Sequence, residues 1–93
     1  MRFTILVTEK KKENILVHKT VGRHCEGVFD HLKDAHSRLR DEVYKTFVWI
    51  LKKAMAYSDE TKEMPIIRQK MLNEFMIEYE DHIIEYKIVR LDK

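Results

Sequence analysis

The sequence predicts an α+β fold in the order ββααβ: a β-hairpin, a long helix, a shorter helix and a C-terminal strand completing a small antiparallel sheet. Three observations predict it. Residues 3–8 and 15–21 are rich in β-branched and aromatic side chains, and Phe3, Ile5 and Val7 share one face at period two. From Cys25 to Tyr57 apolar residues recur with the period of a helix instead. The chain holds only two glycines, Gly22 and Gly27, and one proline, Pro65, so loops are few.

The polar run Glu9-Lys10-Lys11-Lys12-Glu13-Asn14 between the first two segments reads as a hairpin tip, and Gly22 as the end of the hairpin. In the next segment Cys25, Val28, Leu32, Ala35, Leu39, Val43, Ile50, Ala54 and Tyr57 lie within one stripe at about 100° per residue. Glu26, Asp30 and Asp34 near its start and Lys52 and Lys53 near its end have the charge order that the helix dipole favours. Such a helix is far longer than the mean of about 11–12 residues, which makes Arg40-Asp41 a plausible break. Phe47 to Leu51 has strand composition, so ββαβαβ is the alternative order; the helix formers Lys52 to Ala56 favour continuation. Ser58 to Glu63 reads as a loop, and Pro65 as the first turn of a second helix. Met64, Ile67, Met71, Leu72, Phe75 and Tyr79 form its apolar stripe, to about Glu80. Residues 82–91 return to strand character and add to the hairpin sheet.

With 93 residues, 44% of them hydrophobic, the chain is expected to fold as a single domain spanning 1–93. Scarce glycine excludes phosphate-cradling loops and nucleophile elbows, which need it where the backbone turns sharply. One cysteine, Cys25, cannot form an internal disulfide, so a reducing, cytoplasmic setting is expected. The apolar part of the N-terminal segment is too short for a secretory signal, and no apolar run approaches the ~18–20 residues that span a bilayer.

Net charge is +2 but unevenly spread: residues 1–24 carry six basic and two acidic side chains, residues 58–82 three and seven. Arg2, Lys10, Lys11, Lys12, Lys19 and Arg23 make the hairpin basic, which suits a β-ribbon contacting nucleic-acid phosphates. The small net charge favours reading the same lysines as a solvated tip that blocks edge-to-edge pairing, and no aromatic residue interleaves the lysine run to stack on bases.

His18, His24, Cys25, His31 and His36 are the densest group of potential ligands or acid–base residues. On a helix, His31 and His36 would project about 140° apart, and His24 and His31 would lie about 10 Å apart along the axis, so no metal is expected. His18-Lys19-Thr20 resembles the His-x-Thr element that occurs twice in two-histidine phosphoesterases, but a second copy is absent. Cys25 falls on the apolar stripe, where a buried, inert thiol is expected. No cofactor motif is present.

Tyr44, Phe47, Val48, Trp49, Leu51 and Met55 cover several sides of the long helix, more than one sheet face can bury. Trp and Tyr are enriched at binding hot spots, so this segment is the predicted protein interface. The first reading is a non-enzymatic interaction or regulatory protein, homodimeric and cytoplasmic, that binds another macromolecule through this segment. The second is a nucleic-acid-binding module using the basic hairpin. The third is a small hydrolase or metal protein centred on the histidines. Small size, high Lys and Glu content and scarce glycine resemble the composition of compact phage and mobile-element accessory proteins, without a motif to carry the resemblance.

Overall fold

The computed structural model describes residues 1–56 and 64–91. Along the chain run β1 (Phe3–Lys12), β2 (His18–Phe29), α1 (Leu32–Ala56), β3 (Ile66–Met71), β4 (Glu74–Tyr79) and β5 (His82–Arg90). The five strands form one antiparallel sheet in the order β2-β1-β5-β4-β3, and α1 packs on one of its faces. The α+β class and the closing strand against the hairpin are as predicted, whereas neither ββααβ nor ββαβαβ is the order observed.

The core is the seam between α1 and the sheet. Ala35, Leu39, Val43 and Ile50 descend from α1 onto Ile5, Val7, Ile77, Tyr86 and Ile88. The register sets these sheet residues on one face, since directly opposed residues point the same way: Ile5 opposes Ile88, Val7 opposes Tyr86, and Ile77 opposes Ile84. Phe3, Phe29, Phe47, Phe75, Tyr79 and Ile84 close the margin of the cluster. The opposite face carries ion pairs, Lys10 with Glu85 at 2.9 Å, Lys87 with Glu74 at 3.2 Å and Arg68 with Glu78 at 3.5 Å.

The expected second helix is a hairpin, β3 and β4, and the reason is local. Phe75, Ile77 and Tyr79 face α1, but Met76 is also buried, on the opposite face, so the clean alternation that marks a half-buried strand is missing. Both flanking turns, Leu72-Asn73 and Glu80-Asp81, lack glycine and proline, and Glu80 takes the left-handed conformation itself at φ 50°. Pro65 therefore precedes a strand rather than opening a helix, and Met64, Ile66, Ile67, Met71 and Leu72 are exposed.

The long helix starts later than the stripe suggests. β2 runs past Gly22 to Phe29, and α1 opens at Leu32 with the Asp34 and Ala35 amides bonded to the His31 carbonyl. Cys25 and Val28 lie on β2 and are exposed, and neither joins the core stripe; of the three acids only Asp34 stands in the first helical turn. Gly27 lets the strand continue. It sits in a register shift of β2 against β1 at φ 73°, and the Thr4 hydroxyl donates to its carbonyl at 2.6 Å. The helix passes unbroken through Arg40-Asp41, and residues 43–51 are helical. At the other hairpin end β1 reaches Lys12, and Ile15 to Val17 form the turn rather than the start of a strand. Tyr57 and the expected loop Ser58 to Glu63 lie outside the described residues. No helix among the described residues is long and apolar enough to cross a membrane.

Candidate functional surfaces

The outer side of α1 carries the predicted interface residues, and its rotation on the sheet divides them. Phe47 turns inward and packs against the core. Tyr44, Trp49 and Met55 stay 67%, 56% and 66% exposed, and Val48 and Leu51 are half-buried. At about 100° per residue, Tyr44, Val48, Leu51 and Met55 fall within a band of about 60°. This second apolar stripe has spacings of four, three and four residues, and it looks about 145° away from the buried one. Trp49 lies beyond the stripe, across Lys45 and Lys52, and Lys53 sits over its ring at 3.8 Å from the centroid. Such a cation–π contact stabilises by about 0.5–1 kcal/mol at an exposed site and fixes the indole on the surface.

The basic hairpin is organised differently from its sequence pattern. Lys11 is opposite Lys19 and Lys12 opposite His18 across β1 and β2, while Lys10 is tied to Glu85 on β5. Arg23 lies further along β2 and Arg2 just before β1, near Asp30 at 3.9 Å, so the six cations do not converge on one point. Beside the hairpin end stands the β4–β5 turn, where the Lys12 amide donates to the Asp81 carbonyl at 2.7 Å. Glu78, Glu80 and Asp81 thus share a shallow depression with Lys12, His18 and His82. The apex presents Ile15 and Leu16, 86% and 88% exposed, held by the Asn14 carboxamide, which accepts hydrogen bonds from the Leu16 and Val17 amides.

The histidines are dispersed. His18 and His24 lie on β2, His31 precedes α1 and His36 is on it; His24 faces Glu26 at 3.0 Å. Among the described residues no group of three His, Cys, Asp or Glu side chains could hold a metal ion. Cys25 is exposed on a strand, so the expected burial is wrong: Gly22 does not end the hairpin, and the residue never enters the helix.

One grouping was not legible beforehand. A groove between β1, β2 and α1 is lined by Glu9, His24, Glu26, Glu42, Thr46 and Tyr86, drawn from four elements. Glu26 is paired with His24 and Glu42 with Arg38 at 2.8 Å. At its floor the Tyr86 hydroxyl donates to Thr46 at 2.7 Å, and burial raises the phenol above its ordinary range, partly offset because the Thr46 hydroxyl can turn to donate to the ionised oxygen. Tyr79, stacked on His82 at 5.2 Å, is raised by burial and by Glu9, Glu80 and Asp81. Both phenols are therefore neutral donors near neutral pH.

Comparison with known proteins finds no matching family model, no matching curated protein and no matching solved structure.

Proposed function

We propose that this chain is a non-enzymatic binding protein that engages another protein through the outer face of α1, using Tyr44, Val48, Leu51 and Met55 with Trp49 at the edge. One observation carries the reading. A helix on a single sheet needs one apolar face, and this helix has a second stripe of about three turns, exposed at Tyr44 and Met55 and half-buried at Val48 and Leu51. A single cysteine fits a reducing cytoplasm as the place of action.

The test is affinity capture with the wild-type chain and with Tyr44→Ser/Met55→Ser, each with and without nuclease. A defined protein that survives nuclease and falls by roughly tenfold with the variant supports the reading, provided both chains melt alike. Equal capture by the two chains overturns it.

Nucleic-acid binding is the second reading, and the register favours it at one place. Lys11 opposite Lys19 is a like-charge cross-strand pair, which is destabilising unless an anion lies between the two. The adjacent Glu80 and Asp81 repel the same phosphates, which is why this reading stands second. Nuclease-sensitive capture that Lys11→Ser/Lys19→Ser abolishes would reverse the order.

A further inference from the structure

The chemistry of the partner follows from what flanks the α1 stripe, if the reading just given holds. Tyr44, Val48, Leu51 and Met55 have the four-three-four spacing of a coiled-coil seam, and the seam rises about 16 Å along the axis. Its two margins differ. Phe47 and Ala54 precede seam residues and lie on the sheet side, with Phe47 packed on the core and Ala54 half-buried. Lys45 and Lys52 follow seam residues and lie on the solvent side, both exposed and without an ion pair among the described residues. From Val43 to Ala56 the helix has three cations, Lys45, Lys52 and Lys53, and no acid. The nearest helical carboxylates are Asp41, one turn before Lys45, and Glu42, which is held by Arg38.

A second copy of the chain suits this margin poorly. Two seams packed antiparallel about a two-fold axis set like margins together, so Lys45 and Lys52 of each copy would meet the same lysines of the other. Packed in parallel, each lysine margin would face Phe47 and Ala54, which offer no charge. A helix with carboxylates beside its apolar seam matches the stripe and both lysines together.

We propose that the α1 stripe receives an amphipathic helix of a different protein, with apolar residues at heptad spacing and Asp or Glu along the edge that meets Lys45 and Lys52. The opposed charges set the orientation of the incoming helix and reject basic competitors.

Two synthetic helical peptides of about five turns test this against the full chain, both with leucines at the seam positions, one flanked by glutamates and the other by lysines. Fluorescence anisotropy at about 50 mM and about 500 mM salt reads the binding. The glutamate peptide is expected to bind at least roughly tenfold more tightly, with the margin shrinking at high salt. Lys45→Glu/Lys52→Glu should reverse the preference, and because both positions are exposed the variant is expected to keep the fold, which its circular dichroism checks. Equal binding of the two peptides, or a preference that survives the charge reversal, overturns the inference while leaving the binding face standing. A dimer in sedimentation equilibrium that Leu51→Asp dissolves overturns it in favour of a second copy. If neither peptide binds and the Tyr44→Ser/Met55→Ser chain captures as the wild type does, the binding face itself fails.

Discussion

Ile77 and Met71 separate the hairpin from the helix that the sequence suggests over residues 65–80. In the structure Ile77 is fully buried between α1 and the sheet, opposite Ile84 on β5 and Ile67 on β3, while Met71 is 66% exposed at the end of an edge strand. Ile77→Ala removes three buried carbons, at about 0.8 kcal/mol each, and leaves a cavity that adds to the loss. The expected cost is about 3 kcal/mol, a large part of the ~5–15 kcal/mol that stabilises a typical domain. Met71→Ser should stay within about 0.5 kcal/mol. A helix over the same residues inverts the order. Met71 would then lie on the apolar stripe, and Ile77 about 150° from it in solvent. Urea unfolding followed by circular dichroism reads both variants: at an m-value near ~1.5 kcal/mol/M, Ile77→Ala lowers the midpoint by about 2 M with m unchanged. A neutral Ile77→Ala beside a costly Met71→Ser would refute the strand assignment.

Two further substitutions test the joints of the fold. At Gly27, φ is 73° and an added Cβ would meet the Phe29 ring at 2.6 Å, so Gly27→Ala should cost about 1–3 kcal/mol in the same urea assay. Gly22→Ala, with nothing within 4 Å, should be near neutral, and equal effects at the two sites would contradict the bulge geometry. The Tyr86 phenol is raised by burial in the folded chain, so the folded state holds this proton more tightly than the unfolded state. Its contribution is thus fully present below the unfolded value of about 10 and is lost as pH rises through the higher folded value. Tyr86→Phe should cost about 1 kcal/mol at neutral pH through the lost bond to Thr46, and flatten the fall in stability above about pH 10; thermal melts of both proteins across that range check it.

The hairpin, the long helix and the last strand were legible because each satisfies its local period. Ile5 and Val7 alternate, Ala35, Leu39 and Val43 step by one helical turn, and no turn residue interrupts the helix before Ala56. β3 and β4 were hidden because apolar residues occupy both faces of β4 and because Asn73 and Glu80 make turns without glycine. The start of α1 was misplaced for a related reason: Gly22, which reads as a stop, lies inside β2, and the strand continues through the bulge at Gly27.

For the candidate site, the sequence by itself determined that the aromatic segment from Tyr44 to Met55 exceeds what one face can bury, since composition and period are properties of the chain alone. Only the tertiary structure decided which of its residues face outward. A helix can be rotated about its axis without changing its sequence, and packing Leu39, Val43 and Ile50 on the sheet sent Phe47 inward and left Tyr44 and Met55 in solvent. Likewise the charge of the hairpin was readable, but its neighbour was not. Strand register is a long-range property, and it set the Asp81 turn against Lys12, nearly seventy residues away in the chain.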